Sequence, residues 1–222
     1  MNRIEEKPGK RALSRFMPEE KPVTVNGHGE GHAKAYAGEV VEGSTTELIA
    51  EACQLHGAPS FGRFVRVESE MQIVGIVFNV FTHSIEPSRR PTAYGKTEDQ
   101  LRLEQPQIFE LLRTEFQVLV IGYRDETGAV PILPPQPARI HAFVYECDDQ
   151  EIADFTQTDD YLRAILGTSK IPTDELLVAT LRHTLKAHGY AHKYLVRMGK
   201  ELARLLKDDY DRLTAILRRI AP

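Results

Sequence analysis

Two kinds of hydrophobic period occur in this chain, and they are segregated. Before Cys147 the apolar residues come mostly in short alternating or β-branched runs; after it they recur every three or four positions. Alternation marks strands and the longer period marks helices. Strands first and helices second exclude the alternating βαβ order of a parallel, doubly wound sheet and predict an α+β chain. The expected architecture is a small antiparallel β-barrel followed by a C-terminal helical segment.

Gly38 to Glu42 reads as a short strand, and Thr45 to Leu55 fits a strand or a helix equally. Gly57-Ala58-Pro59-Ser60 is a turn, and Phe61 to Val67 alternates as a strand. Met71 to Phe81 gives the clearest strand, and Gly75 inside it signals a bulge or bend of the kind that curves a sheet into a barrel. A loop over Ser84 to Thr97 leads to helical spacing over Glu98 to Leu112, interrupted by Pro106. Phe116 to Tyr123 is a second strong strand, with Val130 to Leu133 as its hairpin partner across Asp125 to Gly128. A rigid loop containing Pro134, Pro135 and Pro137 precedes a last strand over Arg139 to Tyr145. Helices are then expected from Asp148 or Asp149 to Thr156, from Asp159 to Gly167, from Pro172 to about Gly189, and as one long helix from Ala191 to Ile220. Residues 1–35 are rich in charge, Pro and Gly and read as a flexible tail. The expected domains are thus a tail (1–35), a β domain (36–147) and a helical extension (148–222).

The formal net charge is −4, against the basic excess that phosphate neutralisation asks of a duplex binder. Cys53 and Cys147 stand too far apart for a zinc pattern or a disulfide framework and read as reduced thiols. No apolar run is long enough to span a membrane, and the charged N-terminus lacks a signal-peptide core, so a cytoplasmic protein is expected. Gly95-Lys96-Thr97 resembles the end of a phosphate-binding loop, but position 90, where such a loop needs glycine, is Arg90. No dinucleotide glycine fingerprint and no Gly-x-Ser-x-Gly occur. Cys53 with His56, and Glu115 beside Arg113, are the nearest approaches to a catalytic group; they read better as a packed thiol near a surface histidine and as a structural ion pair. His28 and His32 sit on the tail, and His183, His188 and His192 read as solvated helix residues. Neither a catalytic residue, a metal nor a cofactor is assigned. Arg63 and Arg66 on one strand, with Arg89 and Arg90 before Pro91, can line an anion- or partner-binding face.

Gly38-Glu-Val-Val-Glu-Gly-Ser-Thr-Thr-Glu47, Leu55-His-Gly-Ala-Pro-Ser-Phe-Gly62, Val74-Gly-Ile-Val-Phe-Asn79 and Leu133-Pro-Pro-Gln-Pro-Ala-Arg-Ile-His141 together resemble the HAS barrel, the small β-barrel domain named for HerA-type translocases and ATP synthases. The resemblance covers about residues 36–147. In that family the barrel precedes a RecA-like ATPase and helps assemble hexamers or dock a partner such as a nuclease. About 75 residues follow the barrel here, too few for that motor, and they hold no phosphate-binding loop. The resemblance therefore implies the interaction role without the ATPase: a non-catalytic adaptor that docks a HerA-type ATPase or an associated nuclease in DNA processing, itself able to form homo-oligomers. Phe61, Arg63, Arg89, Arg90 and Pro135 are the expected contact residues. Exposed strand edges and the apolar stripe of the last helix offer further means of docking. The alternatives are a barrel that binds single- or double-stranded nucleic acid directly, and a hydrolase using Cys53, His56 or Glu115.

Overall fold

Six antiparallel strands hydrogen-bond in a ring. The computed structural model describes residues 36–86, 88, 90–168 and 171–220; the expected tail, with His28 and His32, lies outside them. The strands are β1 (Gly38–Gly43), β2 (Glu47–Ala52), β3 (Phe64–Val67), β4 (Gln72–Ser84), β5 (Leu112–Asp125), β6 (Gly128–Val130) and β7 (Phe143–Glu146). Their order is β2-β1-β7-β3-β4-β5, and β2 pairs with β5 to close the barrel, while β6 hangs on β5 as a short hairpin. Closure removes the edges expected for strand addition within the ring; among the described strands β6 and the stretch of β4 beyond Val77, paired with β5 alone, keep one.

The segment that fitted either period is a strand. Leu48, Ala50 and Ala52 of β2 point inward, and Glu47, Ile49 and Glu51 point outward. β3 starts three residues later than expected because Gly62 turns the chain, with φ +81° and its N–H donated to the Val77 carbonyl (2.7 Å). β7 starts at Phe143 because Arg139 to Ala142 form a turn, with His141 left-handed at φ 70°. Gly75 is the barrel's tight point: a Cβ there would lie 2.3 Å from Val118 Cγ1, and the ladder to β5 shifts register beside it.

Between β4 and β5 lie α1 (Glu98–Glu104) and α2 (Gln107–Glu110), split at Pro106 as its missing N–H requires. After β7 come α3 (Asp149–Phe155), α4 (Asp160–Leu166), α5 (Thr173–Ala187), α6 (His192–Leu205) and α7 (Tyr210–Ile220). Asp148 caps α3 in a capping box with Glu151. The expected single last helix is two helices. Asp209 interrupts it by capping α7, its carboxylate accepting the Arg212 N–H at 3.1 Å. The apolar stripe offered above for docking is occupied within the chain: Leu213, Ile216 and Ile220 are buried in the helical core.

There are two cores. Val40, Leu48, Val65, Ile73, Val77, Phe116, Val118 and Val144 fill the barrel. Phe64, Val74, Ile76 and Ile121 point the other way and join Leu162, Leu176, Leu177, Leu181 and Met198 beneath the helices. β3 and β4 thus serve both cores through alternate side chains, and barrel and helices form one compact unit. Ion pairs tie the same junction: Arg66 binds Glu151 of α3 (2.7 Å) and lies over the Tyr145 ring. No helix among the described residues is long and apolar enough to cross a membrane.

Candidate functional site

β4 and β5 run on together as a two-stranded arm beyond the barrel, paired as far as Ser84 and Leu112. The arm carries the α1–α2 insertion. Thr97 caps α1 reciprocally with Gln100, and Glu98 and Arg102 pair along its surface at 2.7 Å. Neither helix buries a residue completely. The apolar side chains therefore remain available: Leu103 is 86% exposed, and Tyr94 and Ile85 are each 45% exposed. Tyr94, Leu101, Ile108, Phe109 and Pro91 line a cleft of about 250 Å³, with Arg90 at its margin. An apolar cleft edged by a cation, on an insertion that adds nothing to either core, is suited to partner contact.

The expected contact residues occupy different surfaces. Arg90 lines the insertion cleft, and Arg89 lies outside the described residues. Pro135 is exposed on the β6–β7 connection. Phe61 is half-buried against the helical core. Arg63 is engaged within the fold: it donates to Glu146 (2.9 Å) and to the Cys147 carbonyl (3.0 Å), fastening β3 to the end of β7. The expected arginine face is dispersed in the same way, since Arg66 is bound to Glu68 and Glu151. What sequence reasoning missed is the exposure of the insertion, whose helical spacing does not tell a solvent-facing helix from a packed one.

Among the described residues, Cys53 has no hydrogen bond to a histidine or carboxylate. Its thiol donates to the Tyr36 carbonyl (3.3 Å), and burial pushes it above the ordinary thiol value. His56 is held by Thr114, whose hydroxyl accepts its backbone N–H at 2.8 Å. The expected ion pair of Arg113 with Glu115 is instead two pairs across strands, Arg113 with Glu51 (2.8 Å) and His83 with Glu115 (3.7 Å). Among the described residues no cluster of His, Cys, Asp and Glu has the makings of a metal site.

Of the three helix histidines, His192 is exposed, but His188 is built into the fold. Its ring stacks on Tyr194 with centroids 3.8 Å apart. The Thr156 hydroxyl donates to the Ile152 carbonyl, so its oxygen accepts from His188 Nε2–H at 2.9 Å. Burial and then Arg197 hold the His188 imidazole below its ordinary value, and burial, Arg63 and Lys186 do the same for His183. Both are favoured neutral in the fold, whereas the unfolded chain takes up protons as pH falls past about 6.5. Their stabilisation is thus complete above that value and lost as pH falls through the lowered folded one. The urea midpoint is expected to fall between about pH 7.5 and about pH 5.5, and His188→Gln, which keeps a donor N–H without a titrating ring, is expected to flatten the fall.

Compared with known proteins, the chain matches no family model, and no curated protein matches it.

Proposed function

We propose that this chain is a non-catalytic assembly module, a HAS-barrel-like adaptor that docks a HerA-type ATPase or its associated nuclease. The observation that carries the reading is the α1–α2 insertion: an apolar, solvent-facing cleft held out on a two-stranded arm by a closed barrel. The rigid barrel–helix unit acts as the scaffold, and the insertion supplies side chains that the chain's own cores do not use. Direct nucleic-acid binding is disfavoured, because Arg63, Arg66, Arg113 and Arg139 are each paired with a glutamate. Tagged full-length protein is expected to co-purify an ATPase or nuclease from native lysate at several salt concentrations. The pair Tyr94→Ala with Leu103→Asp is expected to abolish that recovery while leaving the melting temperature within about 2 °C, as exposed substitutions do. Recovery of neither enzyme by the native chain would count decisively against the adaptor reading.

A further inference from the structure

The arm leaves one strand edge open. β3 pairs with β4 only as far as Ile76, and the last bonds on that side join Val77 to Arg63 and Gly62. Past the bulge at Phe78, β4 pairs with β5 alone. Ile85 N–H donates to the Leu111 carbonyl (2.8 Å), the residue opposite it in the register of the ladder. Antiparallel pairs alternate between bonded and non-bonded. Asn79, Phe81 and His83 therefore bond toward β5, and Val80, Thr82 and Ser84 turn their N–H and C=O groups the other way. Among the described residues nothing bonds those groups.

Folded proteins guard such edges with charge or proline. From Gln72 to Ile85 this strand holds no Lys, Arg, Asp, Glu or Pro. The bulge at Phe78 lies before the open stretch, and the register from Asn79 to Ser84 is regular.

A second copy of the chain complements this edge. With the two edges antiparallel about a two-fold axis at Thr82, Thr82 meets Thr82 of the second copy, and Val80 meets Ser84 twice over. Two bonds for each facing pair give about six. On the outer face Phe81 falls opposite His83, two rings that already stack within one chain (centroids 5.4 Å apart), so no like charges are opposed. The same register sets Ile85 opposite Asn79. Asn79 lines an open cleft of about 660 Å³ walled by Phe61, Val80, Ile171 and Pro172. The exposed Ile85 at the end of each arm thus reaches an apolar cleft at the root of the other. An uncharged extended strand and the apolar side chain that the cleft accepts are both carried by this chain, which selects a second copy over a foreign strand.

We propose that the chain dimerises through the open edge of β4, joining two arms into one four-stranded sheet. The dimer is independent of the adaptor reading, which a monomer would leave standing.

Sedimentation of the full chain across micromolar concentrations is expected to give twice the chain mass, falling to the monomer on dilution. Val80→Pro removes an outward N–H at a position where an edge strand tolerates proline, and is expected to raise the dissociation constant at least about tenfold. A pair of cysteine variants in a Cys53→Ser background reads the register and does not depend on that variant folding. Val80→Cys mixed with Ser84→Cys is expected to form an intermolecular disulfide, since facing bonded residues have Cα atoms about 5.5 Å apart. Either chain oxidised alone is expected to stay uncrosslinked. A native chain that is monomeric throughout, a dimer undiminished by Val80→Pro, or cross-linking as fast in the single chains as in the mixture would each overturn the proposal. A monomer whose Val80→Pro variant no longer co-purifies the ATPase or nuclease would assign the edge to a foreign strand, and would overturn it too.

Discussion

Gly62→Ala is expected to lower the unfolding free energy by about 2–5 kcal/mol, read as a fall in the urea midpoint at constant slope. Two costs add. Gly62 has φ +81°, a left-handed conformation that costs a residue bearing a Cβ about 1–2 kcal/mol. The new methyl would also sit 2.5 Å from Ala179 Cβ, 2.9 Å from its carbonyl carbon and 3.0 Å from the Thr180 nitrogen. Two of these neighbours are the backbone of α5, which cannot swing aside, and overpacking of this kind costs about 1–3 kcal/mol. Ala179→Gly in the same chain is expected to recover only part of the loss. It removes the nearest contact but leaves the backbone approach and the strained φ, and glycine in a helix itself costs about 1 kcal/mol. Coupling between the two positions in a double-mutant cycle would show that the barrel touches α5 through this glycine. A Gly62→Ala midpoint indistinguishable from the native one would mean that the helix does not rest there.

The same glycine shows what the sequence could and could not say. Gly57-Ala58-Pro59-Ser60 signals a turn, with Gly62 inside the strand expected after it; the chain turns on through Gly62, whose left-handed φ delays the strand. Its second role, letting a helix more than a hundred residues downstream approach the barrel, leaves no local trace. The barrel was legible because its strongest signals are local: the apolar, β-branched runs of Met71 to Phe81 and Phe116 to Tyr123, and Gly75 inside the first, needed only neighbours to interpret, whereas β2, with Leu48, Ala50 and Ala52 against Glu47, Ile49 and Glu51, fitted either period. The split between α6 and α7 was missed because Leu206 and Leu213 are seven apart and keep the helical period across the break; Asp209, which caps α7, is the signal that could have found it. Contact residues were the least legible part. Arg63 and Arg66 read as a cationic face because their partners, Glu146 and Glu151, come from segments about eighty residues away. Conversely, the helical spacing of the insertion gave no sign of whether its apolar side chains join a core, and the structure shows that neither core among the described residues takes them up.

Phe64→Ala and Val65→Ala, neighbours on one strand, probe the two cores separately. Phe64 is fully buried on the helix side, its ring edge-on to Tyr161 at 6.0 Å, and the Tyr161 hydroxyl in turn meets that of Tyr194 at 3.1 Å. Truncation opens a cavity at the junction and is expected to cost about 3–5 kcal/mol. Val65 is equally buried but points into the barrel, where losing two methyl groups is expected to cost about 1.5–3 kcal/mol. If β3 couples the cores, each variant shifts one transition, and strand, helix and tyrosine signals melt together in both. That outcome follows from the alternation on β3 and β4: no strand can leave the helical core without withdrawing its other face from the barrel. The contrary result would be a Phe64→Ala calorimetric trace in two steps, with helix signal lost first and strand signal persisting. It would show that the barrel stands alone and that the helices are a separately folding extension laid against it.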